Sequence, residues 1–127
     1  MFDGFIKTAA VTPKIKVADC MYNAEIICER IDEAVAAGAK LIVFPELFIP
    51  GYPYGMTFGF SVGRRTEEGR KDWMLYYRNS ILVPGEETRL LGEAAKKAHA
   101  WVSIGVSERD AVTATLYNSN LVFSPDG

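Results

Sequence analysis

An alternating α/β unit of four strands and about three helices is the fold class this chain predicts, on three observations. Apolar runs rich in β-branched residues alternate with segments of helical periodicity. The first helical segment lies between two such runs, as a right-handed crossover between parallel neighbours requires. The 127 residues are the length of one domain, without an internal repeat or a break in composition.

Phe5–Val11 has the apolar, β-branched character of a buried strand, and Thr12-Pro13 ends it because proline cannot donate into a ladder. Asp19 or Asn23 can then cap a helix whose apolar positions Ile27, Ile31, Ala34 and Val35 recur at helical spacing, with Glu25, Glu29, Arg30, Asp32 and Glu33 turned to water. Gly38 stops it. Lys40–Phe44 is a continuous apolar run, the mark of a strand covered on both faces, and it halts at Pro45. A long loop follows, from Leu47 to Gly63, broken by Pro50, Gly51, Pro53, Gly55 and Gly59 and interleaved with Phe48, Tyr52, Tyr54, Phe58 and Phe60. Loops of this length within a small domain are disproportionately functional, so it reads as a pocket wall.

A second helix is predicted from about Thr66 to Asn79, with Gly69, Trp73, Tyr76 and Tyr77 on one stripe. Pro84-Gly85 opens a third, in which Glu87, Leu91, Ala94, Ala95 and Ala98 align while Lys96 and Lys97 lie at its C-terminal end. His99 follows, where an imidazole can interact with the last carbonyls. Two strands complete the pattern, Trp101–Val106 and Thr115–Phe123. Ser124-Pro125-Asp126-Gly127 then spells a turn, from which a domain truncated before its next strand is expected.

Composition excludes several classes of function. Fourteen basic residues against sixteen acidic give a net charge of −2, with Arg64-Arg65 a local pair and not a basic face, so neither nucleic acid nor an anionic membrane is expected as a partner. No apolar run approaches the roughly 20 residues that span a bilayer, and Met1-Phe2-Asp3-Gly4 lacks the features of a signal peptide; the expected setting is cytoplasmic. Two cysteines, Cys20 and Cys28, and one histidine cannot furnish an ordinary metal cage. No metal and no cofactor are expected, and both cysteines read as reduced thiols.

Glu46 is the residue that could do chemistry. It follows an apolar strand and the proline that ends it, so it stands at the carboxyl end of a buried strand, where open α/β sheets place their ligand crevices. Held among Phe44, Phe48 and the tyrosines of the next loop, its carboxylate would be partly desolvated, which suits a general base. A structural or helix-capping role is the competing reading, since acidic residues commonly follow strands without catalysing anything.

Lys40–Tyr54, with the run Lys-Leu-Ile-Val-Phe-Pro-Glu-Leu-Phe-Ile-Pro-Gly-Tyr-Pro-Tyr, resembles the glutamate-bearing motif of the nitrilase superfamily, the carbon-nitrogen hydrolases. Ile81–Gly85, Ile104–Arg109 and Leu116–Phe123 resemble the same family in order and spacing, and the second half is most similar to the nitrilase branch. Asp3–Leu47 is also similar to the glutaminase domain of glutamine-dependent NAD synthetases. The resemblance implies the N-terminal half of an αββα sandwich and a Glu-Lys-Cys triad that hydrolyses a nitrile or amide to a carboxylic acid and ammonia. Only the glutamate can be carried over, onto Glu46; the family's lysine and cysteine lie beyond the turn that ends at Gly127. Tyr52, Tyr54 and Phe48 resemble pocket-lining, substrate-binding positions, with plain packing of an aromatic loop as the alternative for the tyrosines.

Residues 1–127 are therefore expected to form one partial domain that is inactive alone, since a carbonyl or nitrile carbon needs a nucleophile that a lone glutamate does not supply. The alternatives are a non-catalytic folding or assembly module on the same framework, and a glutaminase-type amidohydrolase piece. Such a unit would expose an apolar sheet face and an unpaired edge on its last strand, so a homo-oligomer is expected.

Overall fold

A computed structural model describes residues 4–56, 58 and 66–127. The readings made on Met1–Asp3, on Gly59, Phe60 and Gly63 of the loop and on Arg64-Arg65 lie outside the described residues. Within them the chain runs β1 (Thr8–Ala10), α1 (Cys20–Ala36), β2 (Leu41–Val43), α2 (Glu67–Asn79), α3 (Glu86–Ala98), β3 (Trp101–Arg109) and β4 (Leu116–Phe123). One sheet has the order β1-β2-β3-β4. The first three strands are parallel, and β4 returns antiparallel to β3. This is the predicted α/β unit of four strands and three helices, with β4 on an edge.

Local chemistry accounts for the helix boundaries. The Asp19 side chain accepts from the Tyr22 amide at 3.2 Å and is the N-cap of α1. Asn23, the other predicted cap, is fully buried one turn in, where it donates to Lys16 O and accepts from Lys16 N, tying the preceding loop to the helix. After Ala37, Gly38 takes a φ of +89° and its amide bonds Val35 O. Thr66 caps α2 through the Gly69 amide, and Glu67 and Glu68 sit in its positively polarised first turn. At the end of α3, His99 adopts a left-handed φ of 48° and its backbone amide bonds Lys96 O. The cap is made by backbone, not by the imidazole as expected from sequence.

Helices α1 and α3 pack side by side, linked at the surface by Lys97 and Asp32 at 2.8 Å. Ile27 and Ile31 of α1, with Leu91 and Ala95 of α3, meet Ile42, Val102, Ile104 and Val106 of the sheet, all fully buried. Each large aliphatic side chain so buried contributes about 2 kcal/mol. Alternation sends Leu41, Val43, Trp101, Ser103 and Val122 to the face away from α1 and α3. There Val43, Trp101 and Val122 are 40%, 49% and 57% exposed. The predicted apolar patch opposite the helices is thus present. β1 is three residues long because its one partner, β2, is itself three residues long, so Phe5 and Ile6, expected within the strand, are exposed ahead of it.

The predicted stripe of α2 is only partly buried: Gly69 and Tyr76 face inward while Trp73 and Tyr77 are half-buried. Phe58 packs edge-on against Trp73 and Tyr76, and the Tyr76 hydroxyl donates to Gly51 O at 3.1 Å. Burial pushes the Tyr76 hydroxyl up to about 12 from its ordinary 10.0, with a smaller opposing contribution from Ser107. The folded chain therefore holds this proton more tightly than the unfolded one, and the associated stability is complete below pH 10 and lost as pH rises toward 12. A thermal melt series should show the midpoint falling across pH 10–12, and Tyr76→Phe should flatten that fall while costing about 1 kcal/mol at neutral pH through the lost hydrogen bond.

Candidate functional site

The carboxyl end of β2 does not continue in register along β3. Val43 pairs with Ser103, but the next bridge joins Ile49 to Val106, so six residue steps on one side answer three on the other. The excess forms a bulge, Pro45-Glu46-Leu47, in which Leu47 takes a left-handed φ of 47°. Backbone bonds hold both sides of it: Phe44 N to Ser103 O, Gly105 N to Pro45 O, Phe48 N to Gly105 O and Ser107 N to Ile49 O.

Gly105 makes the bulge possible. A Cβ there would stand 2.5 Å from Glu46 Cα and 2.8 Å from both Leu47 N and Pro45 O, all backbone atoms that cannot swing aside. The crossing sends Phe44 and Phe48 into the core under α1 and α3, 4% and 3% exposed with ring centroids 5.5 Å apart, and leaves Glu46 over the opposite face, beside Asn118.

Glu46 lines a depression of about 300 Å³ with Phe44, Gly105, Asn118, Ser119 and Asn120. The Asn118 amide donates to Glu46 Oε1 at 2.6 Å. The expectation of a carboxylate desolvated among aromatic side chains is corrected: Glu46 is exposed, because the bulge turns it away from the side on which Phe44 and Phe48 are buried. Of the residues singled out from sequence, only Glu46 and Phe44 reach this depression. Phe48 lies in the core, and Tyr52 and Tyr54 form an exposed pair with centroids 4.8 Å apart that does not line it. Sequence reasoning missed Asn118 and Gly105. Asparagine and glycine are depleted from strand interiors, so Asn118 and Asn120 at period two, and Gly105 between Ile104 and Val106, were the available signals.

The cysteines belong to the other side of the sheet. Both are free and half-buried on α1, and burial raises both thiols, Cys20 further through the Glu87 carboxylate that its Sγ approaches at 3.4 Å. Raised thiols are poor nucleophiles. Among the described residues no group of three or more His, Cys, Asp or Glu side chains could hold a metal ion, and no helix is long and apolar enough to cross a membrane.

A crossover α/β sheet with a carboxylate at the carboxyl end of an inner strand is the arrangement in which open α/β folds place ligand crevices. Residues 7–127 match the carbon-nitrogen hydrolase family, and the chain belongs to that family. It is 50% identical over 97 residues to an aliphatic nitrilase of Sinorhizobium fredii, a match covering 76% of this chain and 31% of that protein. To nitrilase 2 of Arabidopsis thaliana it is 40% identical over 131 aligned positions, covering 99% of this chain and 38% of the relative. The chain thus spans about a third of the length of these relatives. Its fold matches Nit3 of Saccharomyces cerevisiae, a member of branch 10 of the nitrilase superfamily, with a TM-score of 0.69 at 24% identity, over 96% of this chain and 41% of that one. A glutamine-dependent NAD(+) synthetase from Cytophaga hutchinsonii shares the fold with a TM-score of 0.58 at 20% identity, over 95% of this chain and 17% of that one.

Gly105→Ala should destabilise the chain by about 3 kcal/mol in urea denaturation, since backbone must move. Gly92→Ala, whose Cβ would meet nothing closer than 3.6 Å on a helix, should be neutral or stabilising by up to about 1 kcal/mol.

Proposed function

We propose that this chain is the N-terminal part of a nitrilase-type hydrolase, one partial domain in which Glu46 is the general base and the nucleophilic cysteine and the lysine are supplied by sequence beyond Gly127. The observation that carries this reading is Glu46 itself, in a depression on the face away from α1 and α3, with one carboxylate oxygen bonded by Asn118 and the other without a side-chain hydrogen bond among the described residues. A thiol brought over that face would lose its proton to the carboxylate, attack the nitrile or amide carbon as thiolate, and form a covalent adduct. Hydrolysis of the adduct then yields the carboxylic acid, with ammonia as the other product. Nitriles are the favoured substrate class, because the relatives with high identity are nitrilases.

Neither cysteine of the chain substitutes for the absent nucleophile, since both sit on α1 across the sheet from Glu46. In this reading Tyr52 and Tyr54, both exposed, form the substrate-side wall only once the rest of the hydrolase is in place, while Phe48, buried in the core, backs Phe44. Free thiols support a cytoplasmic setting. The assembly-module reading draws its support from the exposed Val43, Trp101 and Val122 on the face away from α1 and α3, which also favour self-association of the isolated chain.

The isolated chain should release no ammonia from aliphatic or aromatic nitriles. The polypeptide extended to the length of its relatives should do so, and Glu46→Gln should abolish that release. Turnover by the isolated chain that Glu46→Gln removes would overturn the division of the triad. In analytical ultracentrifugation at micromolar concentration the isolated chain should sediment as an oligomer, and Trp101→Lys with Val122→Lys should shift it toward monomer.

A further inference from the structure

We infer that Asn118 is the positioning residue of the Glu46 carboxylate, its side-chain amide engaging Oε1 so that, among the described residues, Oε2 is the oxygen left to take a proton over the depression. This rests on the reading of Glu46 as the base.

The bulge fixes where the Glu46 backbone lies, but the side chain beyond it has three rotatable bonds and is exposed. A base must be held within hydrogen-bond reach of the group it deprotonates, so something on the sheet has to orient it. The 2.6 Å contact from Asn118 Nδ2 is a charge-assisted hydrogen bond when Glu46 is ionised. The donor is neutral and has no proton to exchange with the carboxylate, so it directs Glu46 without competing as an acid.

Asn118 is itself on a fixed platform. It pairs with Ser107 within the uninterrupted β3–β4 ladder that runs from Val102–Phe123 to Arg109–Leu116. Ser107 is 2% exposed, its hydroxyl bonds Ser80 Oγ at 2.9 Å, and its amide bonds Ile49 O beyond the bulge. A one-residue slip of β4 would send Asn118 to the opposite face, so the ladder register and the orientation of Glu46 are set together. Asn118 is exposed on an edge strand and packs little, so its removal should affect geometry at Glu46 far more than folding.

The test has two arms. In this chain, one side-chain Nδ2–H of Asn118 should show the downfield shift of a bonded amide by NMR and move to the position of a solvent-exposed amide in Glu46→Ala. A signal indifferent to that substitution overturns the inference. In the polypeptide extended to the length of its relatives, Asn118→Leu and the near-isosteric Asn118→Asp should lower kcat about 10- to 100-fold, leaving KM within about twofold. Their thermal midpoints should stay within a few degrees of the parent. Full activity in Asn118→Leu alongside an inactive Glu46→Gln would defeat the role of Asn118 alone, as would a loss confined to KM or to the melting point. Undiminished activity in Glu46→Gln would instead defeat the reading of Glu46 as base, and the inference with it.

Discussion

The position of Glu46 follows from the missing side chain at Gly105. Parallel strands hold their partners at a spacing that leaves no room for three additional residues unless the surplus rises out of the sheet. The surplus here, Pro45-Glu46-Leu47, passes so close over β3 that a methyl group at residue 105 would meet three of its backbone atoms. Leu47 contributes a left-handed backbone that costs about 1 kcal/mol, a cost offset by four backbone hydrogen bonds flanking the turn. The same crossing buries Phe44 and Phe48 on the helix side and leaves the acidic residue between them on the other.

From that crossing comes the two-sided character of the molecule. One face of the sheet is closed by α1 and α3 over an aliphatic core, with both thiols on that side. The other has Glu46, Asn118 and Asn120 at one end and Val43, Trp101 and Val122 exposed along the strands. Such a face combines an apolar strip suited to burial with a polar depression suited to chemistry. In the proposed reading this is the face presented to the remainder of the hydrolase.

Much of the fold was legible in the sequence because short-range rules decide it. The periodicity of Ile27 and Ile31, the capping capacity of Asp19 and Thr66, and Gly38 after α1 act over a few residues, and the helices begin and end within about two residues of their signals. Strand lengths were less legible. Phe5–Val11 reads as seven strand residues, yet β1 pairs over three, since the reach of an edge strand depends on its partner. β3 runs three residues past its predicted end because β4 supplies partners as far as Arg109. The place of Glu46 was readable from a strand ending in Pro-Glu, whereas its environment was not. Whether that carboxylate meets aromatic rings or open solvent depends on the side to which the bulge turns, and that is decided by Gly105, 59 positions further along the chain. Asn118 was obscured in the same way, since its partner lies on a different element.

The most direct measurement is a nuclear Overhauser spectrum of the chain with glycine and glutamate selectively labelled. The backbone of Glu46 lying against Gly105 predicts strong cross-peaks between the Gly105 Hα protons and Glu46 Hα, together with contacts from Glu46 Hγ to the Asn118 side chain. Absence of the Gly105 contacts, with Glu46 instead correlated to the rings of Phe48 or Tyr52, would contradict the account.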